Sequence, residues 1–161
     1  MYRMASFCLL IFCLLFASAC DNSRTGSGLV HEDGGASNGK PDGYYANQVM
    51  IAYEQSIIEA INKNRFSLVE GLLDEEGPLY QDQKKLVAYL NRKQIKEKLI
   101  RYQIRSIQKT NGVYKFYVIE NTELYHPDRD PEVFEYEWIY TVKEDAARGV
   151  AKVYSIEKWH R

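Results

Sequence analysis

The chain has 161 residues, room for one domain of ordinary size, and its 21 Lys plus Arg against 22 Asp plus Glu leave a formal net charge of −1. That balance argues against a bulk nucleic-acid binder. Of the three cysteines, Cys8 and Cys13 lie in an apolar leader, which leaves Cys20 without an internal disulfide partner once the leader is removed.

Residues 1–19 carry one charge, Arg3, followed by "ASFCLLIFCLLFASA". The apolar run is short for a bilayer and ends in small residues, the layout of a secretory signal peptide and not of a permanent transmembrane helix. Cutting before Cys20 makes that cysteine the new N-terminus. "ASAC" resembles the small-small-Cys part of the bacterial lipoprotein signal, in which the thiol receives a diacylglyceryl group, although Ala17 stands where Leu is commoner. The competing reading is an ordinary signal peptide cut near Ala19 with Cys20 free. A diacylglyceryl group would anchor the chain stably, since each buried CH2 contributes about 0.8 kcal/mol and one acyl chain alone is marginal.

Residues 21–43, "DNSRTGSGLVHEDGGASNGKPDG", hold six of the ten glycines and almost no large apolar side chain. Such a segment buries too little surface to offset its ordering entropy, and reads as a linker with a reach of roughly 25 to 30 Å. With the lipidated Cys20 it spans residues 20–43, ahead of a domain at 44–161.

From Tyr44 to Asn64, apolar residues at Ala46, Met50, Tyr53, Ile57 and Ile61 recur every three or four positions, which predicts an amphipathic helix. "SLVEGLLDEEG" places Ser67 three residues before Glu70, a capping-box spacing that predicts a short second helix through Leu68, Leu72 and Leu73. Gly77 and Pro78 end it and open a third, from about Leu79 to Arg92.

Beyond it the period changes to two. Ile100, Tyr102 and Ile104 alternate with polar residues, and Asn111-Gly112 is a hairpin signal because both residues accept the positive φ of a type I′ turn. Tyr114, Phe116 and Val118 line one face of the next strand. "HPDRDP" turns the chain, and Phe134, Tyr136, Trp138, Tyr140 and Val142 alternate along a third strand. "KEDAARG" leads into a fourth from Val150 to Trp159. The expected fold is α+β, with three N-terminal helices packed on one face of an antiparallel sheet of about four strands.

Residues 60–107, "AINKNRFSLVEGLLDEEGPLYQDQKKLVAYLNRKQIKEKLIRYQIRSI", resemble the C-terminal domain of the TcaA family of Gram-positive membrane proteins. "AINKNRFSLV", "GPLY", "QKKLVAYL" and "IKEKLIRYQI" carry the likeness, which extends over essentially the whole domain through packing and capping features. The resemblance implies a nuclear transport factor 2-like cone, a strongly curved sheet wrapped on helices with a pocket at its open end. It also implies display outside the cell membrane, in a family associated with glycopeptide antibiotics and wall peptidoglycan. The zinc-ribbon cysteines and transmembrane helix of the full-length family have no counterpart in these residues. The expectation is a lipid anchor in their place, on the outer face of the cytoplasmic membrane.

Catalytic signatures are missing from the pattern. His31 falls in the linker, His126 in a polar turn and His160 next to the end. Glu120 is the only acidic candidate for the interior by alternation, and a surface position at the strand end is the preferred reading. Neither a metal-ligand spacing nor a phosphate loop nor a Gly-x-Ser-x-Gly elbow occurs, so no cofactor and no metal are expected. The expectation is a non-catalytic module. Tyr89, Tyr102, Tyr136, Trp138 and Tyr140 are its candidate pocket or groove, the alternative being that these rings fill the cone.

Charge is uneven along the domain. From Lys84 to Lys109 nine basic residues face one acidic, and Lys84, Lys85, Arg92, Lys93, Lys96 and Lys98 form a candidate basic patch. From Glu120 to Glu137 seven acidic residues face one basic, so the two stretches are also candidates to pair with each other. The partners expected are the membrane through diacylglyceryl-Cys20, and a peptidoglycan precursor, a glycopeptide or an envelope protein. An accessory subunit that docks on another protein, and a small isomerase- or dehydratase-like enzyme, are the alternatives.

Overall fold

The computed structural model describes residues 40–160. The leader, Cys20 and most of the linker lie outside them. The order is α1 (Tyr44–Lys63), two 3-10 turns (Phe66–Leu68 and Glu70–Leu72), α2 (Pro78–Arg92), then β1 (Lys96–Thr110), β2 (Val113–His126), β3 (Arg129–Asp145) and β4 (Val150–Lys158). The strands form one antiparallel sheet in the order β1-β2-β3-β4, a meander in which each strand pairs with the next.

Two of the three expected helices form, and the second is replaced by the 3-10 turns. A helix needs several residues of propagation to offset its nucleus, and this segment has Gly71 at its centre. Neither turn has a side-chain cap, so the Ser67–Glu70 box does not close. Glu70 instead accepts a hydrogen bond from the Tyr80 hydroxyl. The chain then extends at Leu73, which bridges Val153 of β4, and Asp74 N donates to Val153 O at 2.9 Å. Gly77 is held so close to β4 that a Cβ there would lie 2.3 Å from the Tyr154 carbonyl oxygen.

A left-handed residue closes each helix end, at the cap of α1 and one residue past the cap of α2. Asn64 (φ 52°) follows α1 and Gln94 (φ 56°) follows α2, with Arg65 N donating to Ala60 O at 2.8 Å and Ile95 N to Leu90 O at 2.9 Å. The β1–β2 turn has Asn111 at φ 49° and Gly112 at φ 75°, the two positive values that the Asn-Gly pair predicts. Before α1, Asp42 accepts from Tyr114 Oη at 2.8 Å and from Lys109, which ties the end of the expected linker to the sheet.

The core lies between the helices and the concave face of the sheet. Ala46, Met50, Tyr53, Ile57 and Ile61 of α1 and Leu79, Val87 and Leu90 of α2 meet Tyr114, Phe116, Val118, Tyr140, Val142 and Val153. Each large side chain so buried contributes roughly 1.5 to 3 kcal/mol of transfer free energy. Proline inside a strand is tolerated at a bulge, and Pro131 sits where the β2–β3 register shifts, between the Leu124–Glu132 and His126–Arg129 pairs.

Candidate functional site

Alternation along β2 turns Tyr114, Phe116, Val118, Glu120 and Thr122 toward the helices, and all five are buried. Glu120 therefore occupies the interior, not the strand-end surface. Its cross-strand neighbours are Tyr102 of β1 and Tyr136 of β3. Tyr140 donates its hydroxyl to Glu120 Oε1 at 2.7 Å.

Two further carboxyls converge there that alternation and helical spacing alone did not single out. Glu54 is 4% exposed on α1, four residues after Met50 and three before Ile57, so it lies on the buried stripe beside Tyr53. The i, i+4 relation to Met50 was the available signal. Glu97 reaches the concave face through a β-bulge. The register shifts between Leu99 and Arg101, which lets odd-numbered Glu97 and Leu99 share a face with even-numbered Tyr102 and Ile104. Ile100, expected to alternate with Tyr102 inward, is 51% exposed at that bulge. Asn62 of α1 holds the Glu97 backbone from both sides, donating Nδ2 to Glu97 O at 2.7 Å and accepting from Glu97 N at 2.9 Å.

Burial sets the electrostatics of the group. Removal from water pushes Glu120 up to about 7, against the hydrogen bonds from Tyr140 and Glu54, which favour its ionised form. Glu97 is pushed up to about 7 by burial and by the charge of Glu120. Glu54 is raised well above the carboxylate range by burial and by Glu120, and it shares a hydrogen bond with Glu120 as the protonated partner. The phenol of Tyr136 is pushed up to about 12 by burial and by Glu97 and Glu120; Tyr53, Tyr102 and Tyr140 shift the same way. Glu54 Oε1 and Tyr102 Oη are buried and have no hydrogen-bond partner.

An aromatic ladder on β3 adjoins this cluster. Phe134 and Tyr136 stack at 6.1 Å between ring centres, and Tyr136 and Trp138 at 5.6 Å, with planes inclined by 20° and 17°. Tyr53 meets Tyr140 edge to face at 5.6 Å. Of the residues expected to line a groove, Tyr102, Tyr136, Trp138 and Tyr140 thus share the concave face. Tyr89 stands on α2, with the Arg92 guanidinium 5.7 Å from its ring centre.

The six basic candidates divide between helix and sheet. Lys84, Lys85 and Arg92 lie on α2 and Lys93 just after it, with the Lys84 ammonium 6.0 Å from the Phe66 ring centre. Lys96 donates to Asn62 O, and Lys98 pairs with Glu123 of the acidic stretch at 3.7 Å. A separate depression at the β3–β4 hairpin is lined by Asp74, Lys143, Asp145 and Arg148 among others. Its charges are paired there, Lys143 with Asp74 at 3.0 Å and Arg148 with Asp145 at 3.4 Å. Among the described residues, no group of three Asp, Glu, His or Cys side chains is placed to hold a metal ion.

Comparison with known proteins gives three likenesses. The family model described as "TcaA protein NTF2-like domain" matches residues 45–157. The uncharacterized membrane protein YvbJ of Bacillus subtilis (strain 168) is 32% identical over 92 residues, which cover 57% of this chain and 15% of that relative. The crystal structure of the intermembrane space region of the chloroplast protein ARC6 matches with a TM-score of 0.59 at 12% identity, over 74% of this chain and 97% of that one, a likeness of fold alone.

Proposed function

The chain belongs to the TcaA NTF2-like domain family, and from that premise we propose that it is a membrane-anchored, extracytoplasmic, non-catalytic binding module. Cys20 carries the diacylglyceryl anchor, which holds the domain at the outer face of the cytoplasmic membrane. The concave face takes a wall component, a glycopeptide or a segment of an envelope protein.

The observation that carries the binding role is the Phe134–Tyr136–Trp138 ladder leading to buried polar groups that lack partners. Flat aromatic faces beside a few fixed hydrogen-bonding atoms are how a groove holds a ligand and orients it. One observation supports the membrane address: the Bacillus relative YvbJ is a membrane protein. Anchoring is tested by metabolic labelling with a radioactive fatty acid and by fractionation. The unaltered chain is expected to take up label and pellet with membranes, and Cys20→Ser to do neither. A labelled, membrane-bound Cys20→Ser chain would remove the anchor.

A second reading, proton transfer by a small isomerase- or dehydratase-like enzyme, is favoured by the Glu54–Glu120 pair and its Tyr140 hydrogen bond. It predicts hydrogen–deuterium exchange into ketone α-positions that Glu120→Gln abolishes. Absence of exchange above the buffer rate sets it aside.

A further inference from the structure

We propose that Glu54, Glu97, Glu120 and Tyr102 form a binding site for a primary ammonium group carried on an apolar stem. This deepens the binding-module reading and rests on it.

Three carboxyls from α1, β1 and β2 converge on one face, and none of them takes part in the ion pairs found among the described residues, which use other acids. The independent sign of a ligand is the pair of orphan oxygens. Glu54 is 4% exposed and aimed at Glu120, yet its Oε1 has no partner, and neither has the buried Tyr102 hydroxyl. Such atoms cost free energy until a donor reaches them. An ammonium has three donors and no acceptor, enough for Glu54 Oε1, Tyr102 Oη and one oxygen of Glu97 or Glu120.

The walls suit the same group. Tyr136, the cross-strand neighbour of Glu120, stacks on Trp138 at 5.6 Å, and aromatic rings attract cations most strongly where water is excluded. An anion would be repelled by the same carboxyls. A bare metal ion needs ligands closer together than the described residues provide. Glu97, Tyr102, Tyr136 and Trp138 are half-buried and mark the side of the cluster nearest solvent, along which the stem would lie.

Titration follows from the groups that face the site: Glu54 and Tyr53 from α1, Glu97 and Tyr102 from β1, Glu120 from β2, Tyr136 and Tyr140 from β3. A cation binds the ionised carboxylates, and Glu97 and Glu120 lose their protons near 7. Affinity is therefore expected to fall as pH drops from 8 to 5.5.

The test titrates the full chain in detergent with Nα-acetyl-lysine amide, with 1,5-diaminopentane and with Nα,Nζ-diacetyl-lysine amide, read by calorimetry and by NMR signals of Tyr102, Tyr136 and Trp138. The two amines are expected to bind at pH 8, the diacetyl compound at least tenfold more weakly, and Glu54→Leu, which removes the acceptor oxygen, to weaken the amines at least tenfold. Tighter binding of the lysine amide points to a peptide source, and tighter binding of the diamine to a free polyamine. Equal binding of the acetylated and free amines, or no shift of those signals at millimolar amine, overturns the ammonium site. Should Glu54→Leu fail to fold, the contrast between ligands and the pH profile on the unaltered chain still decide. Binding of wall fragments that lack a free amine would sink the ammonium site and leave the module standing, and the fatty-acid labelling is independent of both.

Discussion

Glu120 is the residue at which stability and charge meet. Its folded-state pKa lies near 7, and an exposed carboxyl of the unfolded chain titrates near 4.5. Between those values the folded state keeps a proton that the unfolded state has lost, so stability declines as pH rises through this window. Glu97 acts in the same sense. Asp42 acts oppositely: Lys109 and Tyr114 hold it below its usual value, so its contribution is lost on acidification below about 4. Thermal melting is thus expected at a higher temperature at pH 5.5 than at pH 8. Glu120→Gln should narrow the gap by raising the pH 8 value, since a neutral amide still accepts from Tyr140. A steeper pH dependence in that variant would contradict the assignment. Glu120 was legible only as a candidate: alternation reaches it without interruption from Tyr114, but its place toward the strand end favoured the surface, and the structure buries it. Glu54 was half legible, because a carboxyl on an apolar stripe is seen only when the stripe is counted at every third and fourth position.

At the scale of elements, the bulge in β1 decides the make-up of the site. Side chains in a strand have a period of two, so one inserted residue exchanges the faces of everything before it. Deleting Ile100 removes the extra residue and sets Leu99 beside Arg101, opposite Thr122 and Asn121, so Glu97 and Leu99 should keep the concave face. The carboxyl of Glu97, followed by 13C NMR, is then expected still to titrate near 7. A fall to the ordinary carboxylate range near 4.5 would mean that the bulge itself, and not the register with β2, holds Glu97 inward. The missing second helix has a related cause. Ser67 and Glu70 have the spacing of a capping box, but Tyr80 of the following helix claims Glu70, and the bridge from Leu73 to Val153 pulls the segment straight. Both competitors are distant in sequence or belong to another element, which local pattern does not register.

For the molecule as a whole, Phe116 sits at the centre of the meander, fully buried between Ile107 on β1 and Tyr140 on β3. Phe116→Ala is expected to cost about 3 to 5 kcal/mol. That is a large share of the roughly 5 to 15 kcal/mol that holds a domain folded, and denaturant unfolding measures it. A loss under about 1 kcal/mol would mean that the helix layer collapses into the space left behind.

Class and order of elements, the two helices with wide apolar stripes, the Asn-Gly turn and the inward rows of β2 and β3 were all determined by the sequence, because each follows from a period or a turn within a few residues. Tertiary structure alone decided the meeting of Glu54, Glu97 and Glu120, since they come from three elements and one of them arrives through a bulge that pairing imposes. It also decided their protonation. A carboxyl in a sequence has an ordinary pKa, and burial together with the charges of its neighbours moves it toward neutrality.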